Sequence, residues 1–155
     1  MLTPEICEAV LRDHYRKPRH RGVCDGAAPE RTENPACGDI VSLSLTLSGA
    51  EPAPESEFTT GALITCARFE GAGCAASQAG ASLALGMVQG RPAREAIRTL
   101  EHFCQLMESG SVDPELHYEE FGDAGAVLSL ARFPARGVCA TLAARLMIRI
   151  LRAQV

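Results

Sequence analysis

The strongest constraint on the fold of this chain is a strict alternation of apolar and small polar residues over 39–47. Every second residue in its centre is aliphatic: Val41, Leu43, Leu45 and Leu47. A period of two is typical of a β-strand with one buried face. Residues 62–70 predict a second strand, and its predicted inward face consists of Leu63, Thr65, Ala67 and Phe69. The two strands should form an antiparallel hairpin across an unusually long loop, 48–61.

Apolar residues at helical spacing account for most of the remaining chain. The predicted helices cover residues 4–16, 75–89, 92–109 and 138–153, with a short helix over 124–130. Thr3 is suited to cap the first helix and Gly90 to end the second. A short strand near Val23 is the remaining candidate for the sheet. We therefore expect a single α+β domain over 1–155, with a small antiparallel sheet of two to three strands packed against helices.

Composition narrows the function classes. The net charge of −4 and the pI near 5.6 do not favour a nucleic-acid binder. No apolar run reaches the roughly 18 residues of a membrane span, and the first residues lack a secretory signal pattern. We expect a cytoplasmic protein with neither a membrane nor a nucleic-acid partner. The seven cysteines should then be core residues, metal ligands or nucleophiles rather than a disulfide framework.

Three of these cysteines lie in glycine-containing turns, namely Cys37, Cys74 and Cys139. The turns of Cys74 and Cys139 lead into predicted helices, whose unpaired N–H groups and positive dipole ends favour thiolate. Asp39 lies two residues after Cys37, so in extended backbone both side chains point the same way. Three thiolates and a carboxylate suit tetrahedral zinc, and three thiolates also suit an iron–sulfur cluster.

Four segments carry motifs that occur together in a known family. They are DHYRKPRHRG at 13–22, NPACGD at 34–39, FEGAGCAAS at 69–77 and FPARGVCATLA at 133–143. In this order they resemble the NifU-N/IscU/SufU family of iron–sulfur cluster assembly proteins, and the last segment is most similar to the SufU branch. Two positions depart from the pattern. Val138 stands where the IscU branch has histidine and the SufU branch a basic residue, and Ala144 stands where an aromatic residue is usual.

The resemblance implies a SufE/NifU-like fold with zinc on four ligands: Cys37, Asp39, Cys74 and Cys139. It also implies a SufS-like cysteine desulfurase as partner, Cys37 as the acceptor of its persulfide sulfur, and Arg136 as a residue that supports partner engagement or the thiolate. Three functions stay open. The first is a zinc-dependent sulfurtransferase, which Val138 favours. The second is a scaffold that assembles a transient 2Fe-2S cluster on the same cysteines for apo iron–sulfur proteins. The third is a structural zinc module that binds partners.

The other candidate residues have simpler interpretations. Cys7, Cys66 and Cys104 lie on predicted helices or strands and are expected to pack, whereas Cys24 lies in a loop that could be exposed. The basic stretch 12–21 is interpreted as a solvated helix end or, given the family, a docking surface. His14 and Tyr15 are expected to line that surface near the metal site, with core packing as the alternative for His14. His102 and His117 are expected to be surface or structural residues, and Gly80 and Gly86 to be sites of close helix packing.

Overall fold

The computed structural model describes residues 1–48 and 62–154. Its strands are β1 (Glu30–Asn34), β2 (Asp39–Leu47) and β3 (Ile64–Ala72). Its α-helices are α1 (Pro4–Arg16), α2 (Ala75–Val88), α3 (Ala93–Glu108), α4 (Tyr118–Phe121), α5 (Pro134–Ala140) and α6 (Leu142–Gln154). Two 3-10 helices flank α4, over Pro114–His117 and Gly122–Leu130. Residues 49–61 of the predicted long loop lie outside the described ranges.

The three strands form one antiparallel sheet in the order β1-β2-β3. This confirms the α+β prediction and both strands of the predicted hairpin. The third strand is β1 and not a segment near Val23, where the chain makes only an isolated bridge between Arg21 and Phe69 at the edge of β3. The pairing Asn34↔Asp39 closes the β1–β2 hairpin, so β2 begins directly beside the end of β1.

The inward face of β3 differs from the prediction in its first half. Ala67 and Phe69 are buried as expected, but Ile64 is buried while Leu63 and Thr65 are exposed. The cause is a bulge: the partner of Thr46 is Cys66, whereas the partner of Leu47 is Ile64. One extra residue in a strand reverses the alternation beyond it. A period-two pattern cannot detect such an insertion.

Helices α2 and α6 pack over the aliphatic face of the sheet, and α3 packs against these two helices. The core joins Leu43 and Phe69 of the sheet to Leu85, Leu100 and Met147 of these helices, all fully buried. The helix predicted over 138–153 is in fact two helices that break at Thr141. The Thr141 hydroxyl is buried and donates to the Gly137 carbonyl at 2.9 Å, beside the Thr141 N–H, which donates to the same carbonyl at 3.2 Å. A side-chain bond of this kind to the preceding turn bends helices. Helix α1 begins and ends as predicted, and the Thr3 hydroxyl accepts from the Ile6 N–H.

The opposite face of the sheet is crossed by the chain between Arg21 and β1. Cys24 lies there, 3% exposed, and its N–H donates to the Ser44 hydroxyl at 2.8 Å. Cys24 and Cys66 form a disulfide, with their Cα atoms 6.1 Å apart. The expectation that the cysteines form no disulfide is therefore wrong, and Cys24, whose loop position allowed exposure, is buried. The crossing brings together two cysteines 42 positions apart, which no local pattern signals.

Several smaller predictions have clear outcomes. Cys7 and Cys104 are buried core residues, as expected. Gly80 is a close-packing position, because a Cβ there would overlap the backbone of Ala140 in α5. Gly86 is not a close-packing position, because the nearest atom to a Cβ there would be His20 Nε2 at 3.6 Å, an ordinary contact distance. Among the described helices, none has both the length and the apolar character needed to cross a membrane.

Candidate metal centre

The β1–β2 turn places Cys37 and Asp39 at one end of the sheet. The Asn34 carbonyl accepts from the N–H of Cys37 at 3.2 Å and of Gly38 at 2.7 Å. Gly38 has φ +74°, a left-handed conformation that glycine adopts without steric cost. The turn leaves Cys37 exposed while Asp39, as the first residue of β2, is buried.

The N-terminus of α2 holds the Asp39 carboxylate by a hydrogen bond. Cys74 is the N-cap of α2, as the sequence predicted, and its N–H donates to Asp39 Oδ1 at 3.0 Å. The Cys74 sulfur lies 3.2 Å from Asp39 Oδ2. Gly73 makes this approach possible, because a Cβ at that position would lie 2.5 Å from Asp39 Oδ1 and 2.7 Å from the Ser77 hydroxyl.

Cys139 reaches the same place from α5. Its sulfur lies 3.2 Å from the Cys37 sulfur and 3.4 Å from Asn34 Nδ2. The prediction that Cys139 lies at a helix N-terminus is wrong, because α5 begins at Pro134 and Cys139 is its penultimate residue. A helix dipole at that position does not favour a thiolate.

The four predicted ligands thus converge, with an internal difference. The ligand atoms of Cys37, Asp39 and Cys139 all lie within 4.8 Å of one another. Cys74 stands beside this trio, in contact with the Asp39 carboxylate. Asp39 is 4% exposed and Cys139 is 7% exposed, whereas Cys37 and Cys74 face solvent. The cluster therefore has a buried half and an open half.

Electrostatics inside the cluster follow from this burial. Burial alone would raise the pKa of the Asp39 carboxyl, but hydrogen bonds from Cys139, Cys37 and Cys74 hold that pKa below its ordinary value. Burial raises the pKa of the Cys139 thiol, and the neighbouring Asp39 and Cys37 raise it further. A carboxylate beside three thiols is stable as an anion, and it is poised to balance the charge of a cation.

The donor set fits a metal ion. Three sulfurs and one carboxylate oxygen come from three separate elements and meet at one end of the sheet. Such a set matches the tetrahedral preference of zinc and also the thiolate ligation of iron–sulfur clusters. The Asp39 carboxylate, which its thiol neighbours keep as an anion, supplies the negative charge that a cation at this place requires.

A groove of about 430 Å³ opens beside Cys74. Tyr15 of α1 and Arg136 of α5 line it, together with small residues of α2 such as Ala76 and Ala79. Arg136 also stacks on the exposed ring of Phe133, with its guanidinium carbon 5.4 Å from the ring centroid. Tyr15 therefore lines a surface near the cluster, as expected.

His14 lies elsewhere. Its Nδ1 is 2.7 Å from the Ser82 hydroxyl on α2, and burial followed by the nearby Arg19 lowers its pKa. The Ser82 oxygen also accepts from the Arg19 N–H at 2.8 Å, so this hydroxyl joins α1 and the segment after it to α2. His102 pairs with Glu120 on the surface, as expected of a structural residue. The basic stretch is partly ion-paired, for example Arg19 with Asp13.

One residue of the site was not singled out from the sequence. Asn34 is 8% exposed, and its side chain bridges the turn and the Cys139 sulfur. The sequence could have indicated its role in the turn, because asparagine commonly begins a turn by accepting from the N–H of the residue two positions later, here Ala36. The link to Cys139 had no signal, because 105 positions separate the two residues.

The family follows from a match that spans most of the molecule. The family model of the NifU-like N-terminal domain matches residues 7–140, a range that includes all four predicted ligands. The chain belongs to the NifU-like N-terminal domain family. This confirms the resemblance that the four sequence motifs indicated.

Relatives of this family share both sequence and fold with the chain. It is 32% identical, over 86% of its length and 80% of the relative, to the zinc-dependent sulfurtransferase SufU of Bacillus subtilis. It is 31% identical, over 87% of its length and 76% of the relative, to the iron–sulfur cluster assembly scaffold protein IscU of Streptococcus pyogenes. A solved structure of a SUF-system scaffold protein from Fervidobacterium islandicum superposes with a TM-score of 0.72 at 22% identity, covering 91% of this chain and 92% of that one. The last similarity concerns the fold alone.

Proposed function

We propose that this chain is an iron–sulfur cluster assembly protein of the SufU type, which binds zinc and accepts persulfide sulfur from a cysteine desulfurase. One observation carries the proposal: an exposed thiol, Cys37, stands 3.2 Å from the buried thiol Cys139, in a cluster anchored by the buried carboxylate of Asp39. A purely structural zinc site has no need of an open ligand, whereas a sulfur acceptor does. The named activity of the Bacillus subtilis relative supports the same assignment.

The four ligands have separate tasks in this proposal. Asp39, Cys74 and Cys139 hold the metal together with Cys37, and zinc when bound keeps the thiolates deprotonated and shields them from oxidation. Asp39 is itself held by the Cys74 N–H, so the carboxylate stays in place when one thiolate leaves. The open half of the cluster puts Cys37 where a partner's sulfur can reach it.

The transfer is a thiol exchange. The Cys37 thiolate attacks the outer sulfur of the desulfurase persulfide, and a new sulfur–sulfur bond forms at Cys37. The original sulfur–sulfur bond breaks, and the desulfurase cysteine leaves as a thiolate. The sulfane sulfur is now a persulfide on Cys37, with no net oxidation or reduction.

The groove beside Cys74 supports a docking role for this side of the molecule. Its lining combines apolar side chains of α1 and α2, such as Leu11 and Ala79, with Tyr15 and Arg136. A SufS-like desulfurase is the proposed occupant, with Arg136 contributing a positive charge to the contact. Apo iron–sulfur proteins are the proposed final recipients.

A scaffold function is the second candidate, and one feature favours it. Asp39 is the single oxygen ligand among three thiols, and such a ligand makes a 2Fe-2S cluster easier to release. The Streptococcus pyogenes relative is named as a scaffold. Against it, Val138 is 42% exposed beside Cys139 and offers no imidazole.

The deciding experiment measures metal content and sulfur transfer together. The protein is purified with and without oxygen, its zinc and iron are quantified, and alanine formation from L-cysteine by a SufS-like desulfurase is followed with and without it. We expect one zinc per chain and a strong acceleration. An iron–sulfur chromophore that passes to an apo-protein, with no acceleration, contradicts sulfur transfer and supports the scaffold.

Cys37→Ala is the matched test of the acceptor. It should abolish the acceleration while part of the zinc is kept by the other three ligands. Cys104→Ala removes a buried thiol of α3 outside the cluster and serves as the control. An unchanged rate in the Cys37 variant rules out Cys37 as acceptor.

A further inference from the structure

Asn34 connects the two thiols of the cluster that stand closest to each other. Its backbone carbonyl accepts from the N–H groups of Cys37 and Gly38 and so shapes the turn that carries Cys37. Its side-chain Oδ1 accepts from the Ala36 N–H at 3.1 Å. Its Nδ2 lies 3.4 Å from the sulfur of Cys139. A single buried residue therefore touches both the turn and the ligand that arrives from α5.

The orientation of the Asn34 amide is determined by this network. The backbone N–H of Ala36 can only donate, so the side-chain atom facing it is the oxygen. The NH₂ group must then face the Cys139 sulfur, and an NH₂ group donates without accepting. A sulfur accepts such a bond best as a thiolate, since charged acceptors form the stronger hydrogen bonds.

The two thiols are consequently unequal. Cys139 is 7% exposed and receives the amide of Asn34. Cys37 is exposed, and within residues 1–48 and 62–154 no N–H group donates to its sulfur. An N–H donor withdraws electron density from a thiolate and lowers its reactivity, while burial blocks approach to it. Both effects act on Cys139 and neither acts on Cys37.

We propose that Asn34 is a positioning residue that retains Cys139 as a ligand, so that Cys37 is the thiolate released when the site opens. This inference rests on the proposed function and adds how the site selects its outgoing thiol. The donor acts through Cys139 and has no contact with the incoming sulfur. Cys139 is then the retained ligand and Cys37 the released acceptor, because the Asn34 side chain contacts the sulfur of Cys139 alone.

The test is the rate of alkylation of each cysteine in the zinc-loaded protein by iodoacetamide, resolved by mass spectrometry. In the unaltered protein Cys37 should react much faster than Cys139. Asn34→Asp keeps a side-chain oxygen to accept from the Ala36 N–H but loses the N–H donor to the Cys139 sulfur, and Asn34→Leu loses both hydrogen bonds. Each should raise the Cys139 rate by about tenfold or more, the scale of a hydrogen bond to a charged group.

Gln78→Leu is the matched control. Gln78 is also buried near the cluster, on the first turns of α2, and its Nε2 has no hydrogen-bond partner within the part of the chain that the structure describes. Removing that amide should leave the alkylation order unchanged. A rise of the Cys139 rate in Gln78→Leu equal to that in Asn34→Leu overturns a specific role for Asn34.

A second readout separates the hydrogen bond from a general loosening. In the Co²⁺-substituted protein, loss of the N–H donor should shift the sulfur-to-cobalt charge-transfer band to longer wavelength in both Asn34 variants, with Co²⁺ still bound. Equal alkylation of Cys37 and Cys139 in the unaltered protein overturns the proposal. So does an unshifted band together with an unchanged Cys139 rate in both variants. Neither the alkylation nor the Co²⁺ measurement contains a desulfurase. Their outcome therefore does not depend on whether the protein accepts sulfur, so the two proposals can fail separately.

Discussion

At the scale of single residues, the site depends on a close approach of the Asp39 carboxylate to the backbone of residue 73, which a side chain there would block. Asp39 is buried, yet it is contacted by the N–H and the sulfur of Cys74. The carboxylate can occupy this position because residue 73 has no Cβ. Gly73 therefore shapes the proposed metal centre without supplying any ligand atom.

Gly73→Ala should weaken zinc binding by about tenfold or more. The new Cβ would lie 2.5 Å from Asp39 Oδ1, so the carboxylate or the start of α2 must move. Competition with a chromophoric chelator measures the zinc dissociation constant. Gly137→Ala is the control, because its Cβ would meet the Met107 methyl at 3.6 Å and the Leu130 carbonyl oxygen at 3.8 Å, both ordinary contacts. Equal affinities in the two variants would contradict the steric explanation.

At the scale of elements, the geometry of the cluster is set by how α2 packs on α5. Cys74 caps α2 and Cys139 lies near the end of α5. Gly80 lies in α2, against the backbone of Ala140, the residue after Cys139. The spacing between these two helices thus fixes how far apart their cysteines stand.

Two glycines of α2 give a matched pair of substitutions. Gly80→Ala should destabilise the protein by about 1–3 kcal/mol, because its Cβ would overlap the Ala140 carbonyl in a packed interface. Gly86→Ala should instead stabilise it by about 0.5–1 kcal/mol, since its Cβ meets only an ordinary contact and alanine favours the helix. Urea unfolding of the zinc-free protein measures both values. Effects of the same sign and size would refute the assignment of Gly80 to close packing.

At the scale of the whole molecule, one covalent link ties the N-terminal segment to the sheet. The segment pairs with the edge of β3 at Phe69, then crosses the outer face of the sheet, where Cys24 bonds to Cys66. The proposed metal centre lies at the other end of β3, beyond Ala72. The disulfide is therefore formed by cysteines outside the proposed site.

Reduction of the Cys24–Cys66 disulfide should lower the free energy of unfolding by about 4 kcal/mol, from the chain entropy of a loop of this length. The measurement is denaturant unfolding with and without a phosphine reductant. The double variant Cys24→Ser, Cys66→Ser should be less stable and insensitive to the reductant. Alkylation of all seven cysteines in the unreduced, denatured and zinc-free protein would show that the bond is not formed.

The sequence by itself determined the features that depend on neighbouring residues. The period of two in β2, the capped helix α1, the N-cap position of Cys74 and the pairing of Cys37 with Asp39 in one turn all follow from local patterns, and the ordered motifs indicated the family. Only the tertiary structure decided the bulge that reverses β3, the break at Thr141, the Cys24–Cys66 bond and the contact of Asn34 with Cys139. The reason is physical. Local propensities act over a few residues, whereas register, helix packing and contacts across 42 or 105 positions are settled by how the whole chain buries its apolar surface.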